Sequence, residues 1–299
     1  MKLLLPENAT KGATIAVVSD LQTTSFVERM LLREQNEDER VHLIKALEKT
    51  RPEVLLLLGD HVFYGASKND WAYVDNLLAR LRETGTEILP ILGNHDCWAF
   101  GNAALDHYFG RFPKLEQRRF YAARLGSLGV IALDSNKFWM PNSLWHEQTT
   151  FYTKTLAELE ADADVAGILV LVHHPPWTNG TVSGPSSLVA TSFVPEYLRA
   201  RKTMLMLSGH VHAYEHFLQQ GRHFLVCGGG GGPRHHLRPA PHRQFEDLFA
   251  GPTLRDFHYL TIKQGELGLD VKAIGLAKGA TETRPMDSFQ VPWPKTTLR

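Results

Sequence analysis

Apolar positions in this 299-residue chain follow two rhythms. Short unbroken runs of Val, Ile and Leu end abruptly on a polar residue, and longer stretches repeat every three to four positions. The short runs read as strands buried on both faces. They cover residues 13–19 before Asp20, 52–58 before Gly59-Asp60, and 87–92 before Gly93-Asn94-His95-Asp96. Two more cover 168–172 before His173-His174-Pro175-Pro176, and 203–207 before Ser208-Gly209-His210-Val211-His212. The longer rhythm predicts amphipathic helices over 26–49, 71–82 and 148–161, with a short one over 195–200. Ser67 and Asn69 are candidate caps for the second.

Residues 119–124 and 130–133 suit a strand pair turning at Gly126, and 97–117 an inserted excursion with some helix. A strand over 223–227 runs into five consecutive glycines. Residues 257–262 and 268–274 alternate like an antiparallel pair joined through Gly265. Residues 178–192 are rich in Gly, Ser and Thr and read as a mobile loop. Residues 233–251 are polar, and the chain from 281 reads as surface coil.

The order strand, helix, strand, helix, strand implies parallel neighbours and an α/β sheet. In such sheets the ligand site lies beyond the carboxyl ends of the strands. Asp60 stands at such an end, after the most apolar run in the chain. A carboxylate buried there costs several kcal/mol unless positive charge meets it. The expectation is that Asp60 bridges two metal ions and that the other strand ends bring the remaining ligands.

Composition narrows the alternatives. Lys plus Arg and Asp plus Glu both number 32, so no basic excess points to nucleic acid and no acidic tail is present. The 15 histidines cluster near the strand ends. Cys97 and Cys227 form no disulfide framework and read as two reduced thiols. The apolar part of residues 1–6 is too short for a signal peptide, and no segment is long and apolar enough to span a bilayer. A cytoplasmic protein with no membrane partner is expected. The glycine run lacks the Lys-Ser/Thr of a nucleotide P-loop, so it reads as a tight strand exit approaching the site closely.

Carboxylate, amide carbonyl and imidazole together suit Mn, Fe, Zn or Co ions. In order, Asp20-Leu21-Gln22, Gly59-Asp60, Gly93-Asn94-His95-Asp96, His173-His174-Pro175 and Gly209-His210-Val211-His212 resemble the five motifs of the metallophosphoesterase (calcineurin-like) superfamily. Residues 209–215, Gly-His-Val-His-Ala-Tyr-Glu, look most like its purple acid phosphatase branch. The resemblance runs from Asp20 to His212. It implies a four-layer αββα sandwich of two mixed sheets flanked by helices, one domain over 1–299 with 280–299 a surface tail.

By the same resemblance, one metal is held by Asp20, Asp60 and His212, and the other by Asp60, Asn94, His173 and His210. The implied cofactors are two divalent or trivalent ions, Fe, Mn or Zn. The implied reaction is hydrolysis of a small phosphate ester by a metal-bridging hydroxide that attacks phosphorus. His95 would protonate the leaving oxygen or stabilise the transition state, and Asp96 would orient His95. A phosphodiesterase or nuclease of the same fold, or a non-catalytic metal-binding scaffold, are the alternatives.

Two positions depart from the family pattern. Gln22 stands where many members carry a His ligand, and its neutral carbonyl is the weaker donor. Phe63 stands where purple acid phosphatases carry an iron-binding Tyr, with Tyr64 one residue later, so the isolated protein is expected not to be purple. His61, His174, Tyr214, His216, His235 and His236 are candidate substrate-side groups, and Trp98, Phe100 and Trp177 a candidate aromatic wall.

Overall fold

The computed structural model describes residues 12–99 and 102–294. Residues 1–6, expected to be too short in apolar length for a signal peptide, and Phe100 of the aromatic wall lie outside the described residues. β1 (Thr14–Val18), β2 (Val54–Leu57) and β3 (Glu87–Pro90) are parallel neighbours. Helices α1 (Phe26–Met30) and α2 (Glu37–Lys49) join the first two, and α3 (Lys68–Glu83) the last two. Ser67 caps α3 by accepting from the Asp70 amide. After α4 (Ala103–Arg111) come β4 (Tyr121–Leu125), β5 (Leu128–Ala132), α5 (Asn142–Ala161) and β6 (Gly167–Leu171). The chain continues through α6 (Ser187–Ser192), α7 (Val194–Arg199), β7 (Thr203–Ser208), β8 (Tyr214–Gln219) and β9 (Arg222–Cys227). It ends with β10 (Phe257–Gln264), β11 (Gly268–Leu276) and β12 (Arg284–Pro292).

Two six-stranded sheets result, ordered β12-β11-β10-β1-β2-β3 and β4-β5-β6-β7-β9-β8. Both are mixed. Their inner faces share one core in which Val17, Leu55 and Leu260 join Leu171, Leu205 and Leu225. Helices α2 and α3 cover the outer face of the first sheet through Leu43, Leu47, Trp71 and Leu78. Tyr152, Leu156, Val194 and Tyr197 of α5 and α7 cover the second. This is the expected α/β arrangement of helix, sheet, sheet and helix. β1, β2 and β3 run parallel, as do β5, β6, β7 and β9, so each set opens its carboxyl ends along one edge.

Three expectations are corrected. Residues 26–49 are two helices, because the backbone turns left-handed at Leu32 (φ 57°) and α2 restarts after buried Asn36, whose side chain donates to Gly232 O at 3.1 Å. The expected surface coil contains β12, an edge strand paired with β11. Its residues are mostly exposed or half-buried and include two prolines, so no apolar rhythm marks it. The loop over 178–192 contains the ordered turn of α6, and Thr178 and Asn179 are buried against Glu215.

Candidate metal centre

Asp20 follows β1, Asp60 follows β2, Asn94 follows β3, His173 follows β6, and His210 and His212 follow β7. Three of these take left-handed backbone: Asp20 at φ 61°, Asp60 at φ 51° and His210 at φ 67°. Such a conformation costs a non-glycine residue about 1 kcal/mol or more. It turns each chain sharply at the strand exit, so the side chain points along the edge rather than into the next strand. Gly93 permits a close approach, since a Cβ there would stand 2.1 Å from both the amide nitrogen and Oδ1 of Asp60.

The side chains converge. One carboxylate or imidazole atom from each of Asp20, Asp60 and His173 lies within 4.8 Å of the others, and the same holds for His173, His174 and His210. His173 Nε2 stands 3.3 Å from Asp60 Oδ2 and 3.2 Å from Asn94 Oδ1. His212 Nε2 stands 3.3 Å from Asp20 Oδ1.

The imidazoles are aimed from behind. His173 Nδ1 lies 2.7 Å from the Leu58 carbonyl oxygen, and His212 Nδ1 2.7 Å from that of Pro233. As donors to carbonyls, the Nδ1 atoms fix each ring so that Nε2 is the atom presented to the centre. The amide of His210 donates to Asp20 Oδ2 at 3.0 Å. The glycine run closes the floor, its Gly230 and Gly232 amides donating to the carbonyls of Ser19 (2.9 Å) and Asp20 (3.0 Å). The expected close approach of that run to the site is present.

The charges fit a cation. Burial alone would raise the Asp60 carboxyl pKa, but the imidazoles of His173, His95 and His210 outweigh it and hold the group far below the usual range. Burial likewise opposes charge on His173, yet the Asp60 carboxylate pushes its pKa up. Burial and neighbouring imidazoles push His174 down to about 3 and His210 well below normal. Two buried carboxylates facing at least three imidazole nitrogens and an amide oxygen form a donor set for borderline divalent ions.

Gln22 is buried at this centre. With the amide oriented to satisfy its neighbours, Nε2 donates to the carbonyl oxygens of Asp60 (3.0 Å) and Asp20 (3.1 Å), and Oε1 stands 3.0 Å from His212 Nε2. The amide oxygen and the imidazole nitrogen therefore lie side by side.

His95 stands at the centre but is held by a different partner from the one expected. Its Nδ1 lies 2.7 Å from Phe63 O, its ring packs tilted against Trp98 at 4.2 Å between centroids, and Nε2 stands 4.0 Å from Asp60 Oδ2. Asp96 does not touch the His95 ring. Its buried carboxylate accepts from the amides of His61 and Gly93 (both 2.9 Å) and pairs with His61 Nδ1 at 2.7 Å. A backbone carbonyl thus orients His95, and Asp96 clamps the exits of β2 and β3 together. His61 is consequently no substrate-side group; it is buried among Trp71, Tyr108 and Phe112.

Tyr214 and His216 are also removed from the centre. The alternation of β8 turns both toward β12, where Tyr214 donates to Asp287 Oδ2 at 2.8 Å and His216 stacks on Phe289. Trp177 packs on Phe224 within the outer core and forms no wall over the site. His174 and His235 do stand at the centre. His174 Nδ1 lies 2.7 Å from Ser135 Oγ, and His235 stacks on His212 at 4.2 Å. His236 is exposed. Phe63 packs against His95 at 5.0 Å, and Tyr64 is exposed with its amide donating to Asp70.

Several groups escaped the sequence reading. The carbonyls of Leu58, Phe63 and Pro233 carry no residue signature. Arg40 left a signal: an arginine in helical register with Leu43, Ile44 and Leu47. It is buried, and its Nη2 donates to the carbonyls of Gln22 (2.8 Å) and Gly231 (2.9 Å), tying the β1 exit to the glycine run.

A family model described as calcineurin-like phosphoesterase matches residues 13–214. A search of curated proteins gave no match. Among solved structures, purple acid phosphatase PPD1 from yellow lupin seeds is similar at 15% identity and TM-score 0.70. The alignment covers 95% of this chain and 54% of that one, so the chain spans about half the length of the lupin enzyme. GAP50, the anchor in the inner membrane complex of Plasmodium, is similar at 15% identity and TM-score 0.67, covering 96% and 91%. A dimetal phosphatase from Danio rerio is similar at 12% identity and TM-score 0.59, covering 92% and 99%. At these identities the likeness is one of fold.

Proposed function

The chain belongs to the calcineurin-like phosphoesterase family, and on that premise we propose that it is a dinuclear metal-dependent hydrolase of phosphate esters. The observation that carries this reading is the convergence of Asp20, Asp60, Asn94, His173, His210 and His212 on one point, with the His95 ring beside it. Asp60 would be shared between two ions, Asp20 and His212 would hold one, and Asn94, His173 and His210 the other. Gln22 Oε1, beside His212 Nε2, would complete the first set. When bound, such ions, whether Fe, Mn or Zn, would neutralise phosphate charge and acidify water.

The chain's own residues supply the rest. The Leu58 and Pro233 carbonyls keep His173 and His212 in the tautomer that presents Nε2. The Phe63 carbonyl likewise engages Nδ1 of His95, so that Nε2 faces the centre and, in the imidazolium form, would donate to the leaving oxygen. Trp98 and Phe63 flank that imidazole and limit water around it. The likeness to a purple acid phosphatase and a dimetal phosphatase supports the reading at the level of fold.

The test pairs metal analysis of untreated protein with p-nitrophenyl phosphate and bis-p-nitrophenyl phosphate. Two metals per chain with turnover of either ester supports the proposal, and the preferred ester assigns mono- or diesterase. Metal without turnover would identify a non-catalytic scaffold, and activity confined to DNA a nuclease.

A further inference from the structure

The histidines of the centre differ in what faces Nδ1. At His95, His173 and His212 it is a backbone carbonyl oxygen. At His174 and His235 it is a hydrogen-bond donor. The His212 amide donates to His235 Nδ1 at 3.2 Å. Ser135 Oγ accepts from the His174 amide at 3.0 Å and stands 2.7 Å from His174 Nδ1. Among the described residues the Ser135 hydroxyl has no other acceptor, so its proton goes to His174 Nδ1.

An Nδ1 that accepts carries no proton. The ring is then neutral with its hydrogen on Nε2, and a protonated Nε2 donates a hydrogen bond and cannot ligate a cation. As held here, His174 and His235 stand among the ligands of the centre without being fit to ligate through Nε2. A ring nitrogen of His174 lies within 4.8 Å of one from each of His173 and His210. Neither Nε2 has a protein partner among the described residues, and neither is sealed from solvent. Two N–H groups at such a centre call for an acceptor on a ligand.

Both rings are held firmly. His235 is joined to His212 a second time, its own amide donating to His212 O at 3.1 Å, and the two rings lie nearly parallel, 12° apart in plane and 4.2 Å between centroids. Ser135 is buried after β5, next to Asp134, whose carboxylate accepts from Arg119 Nε at 2.6 Å and from the Asn136 amide at 2.8 Å. Asn136 Nδ2 in turn donates to Leu92 O at 3.0 Å, two residues before Asn94. The β3 and β5 exits therefore aim His174, and the β7 exit aims His235.

We propose that His174 and His235 are neutral donors that hold terminal oxygens of the substrate's phosphate, and that they select a monoester. The inference rests on the phosphoesterase reading above and adds the substrate class. A neutral N–H meets an oxyanion without adding charge to a centre already proposed to hold two cations. A diester has two unesterified oxygens and a monoester three. Two ions and two N–H donors are better matched by the three.

Ring-nitrogen NMR spectra of the protein with zinc added should show a protonated Nε2 and a bare Nδ1 at both His174 and His235; the reverse pattern at either overturns the inference. Calorimetry with inorganic phosphate needs no turnover. His174→Phe and His235→Phe keep a ring and remove the donor. Each should weaken phosphate binding about tenfold, and dimethyl phosphate binding less, with metal content unchanged. His174→Gln and His235→Gln, which restore an N–H, should recover most of the loss. On p-nitrophenyl phosphate the Phe variants should raise KM more than they lower kcat. Loss of a metal in a Phe variant would make that residue a ligand and overturn the inference. Unchanged phosphate affinity, or equal weakening of both anions, would overturn it too. Phosphate binding that the Phe variants weaken, in a protein that turns over no ester, would sink the hydrolytic reading and still uphold the two donors.

Discussion

The backbone amide of His95 donates to Oδ1 of Asp60 at 2.8 Å, while the ring Nε2 of the same histidine stands 4.0 Å from Oδ2. One residue thus fixes the carboxylate proposed to bridge the metals and places an imidazole across from it. The proposed acid and the proposed bridge cannot drift apart without breaking that hydrogen bond.

His95→Ala should lower turnover roughly a hundredfold or more on an alkyl phosphate, which needs its leaving oxygen protonated. The loss should be smaller on p-nitrophenyl phosphate, whose leaving group departs as an anion. Steady-state kinetics on both esters decides it, and equal losses would argue for a purely electrostatic role.

Asp60→Ala should empty both metal positions and leave only background activity. Gln22→Ala should deplete one metal of the two, because Oε1 beside His212 Nε2 serves only the Asp20 side. Metal content by elemental analysis distinguishes these outcomes. Full occupancy in the Gln22 variant would show that the amide only braces the Asp20 and Asp60 carbonyls.

Asp96→Ala removes the acceptor for two buried amides and for His61 Nδ1. The cost should be about 3 kcal/mol or more of stability, together with a roughly tenfold or greater loss of metal affinity as the β2 and β3 exits separate. Denaturant melts and metal titration check the two effects.

Glu215 is buried on β8, accepting from Thr178 Oγ1 and from the Asn179 amide at 2.8 Å. Burial raises its pKa from the ordinary 4.5 to about 7. The folded state therefore holds a proton that the unfolded chain has lost, and stability falls as pH rises from 4.5 to 7, then levels off. The total should be about 3 kcal/mol. Glu215→Gln should flatten this part of the stability profile, measured as melting temperature against pH.

How much was legible follows from where each residue stands. Asp20, Asp60, Asn94, His173, His210 and His212 were legible because each comes directly after a buried apolar run, and polar groups at such ends must find partners. Tyr214 and His216 were misread because their closeness to His212 in sequence suggested closeness in space. β8 begins at Tyr214, and from there alternation sends both side chains between the sheets. Asp96 was misassigned for a related reason: adjacency to His95 did not reveal that a short helical turn points the two side chains apart.

By itself the sequence determined the strand ends and the residue types there, because buried strands and metal donors each impose a pattern on neighbouring positions. It also determined the family and the layered α/β class. Only the tertiary structure decided which carbonyls aim the imidazoles, what Asp96 holds, and that residues 26–49 break into two helices. The first two are contacts between residues from 3 to 115 positions apart, and backbone oxygens look alike in every sequence. The last turned on a single left-handed residue, Leu32, whose backbone angle no apolar rhythm encodes.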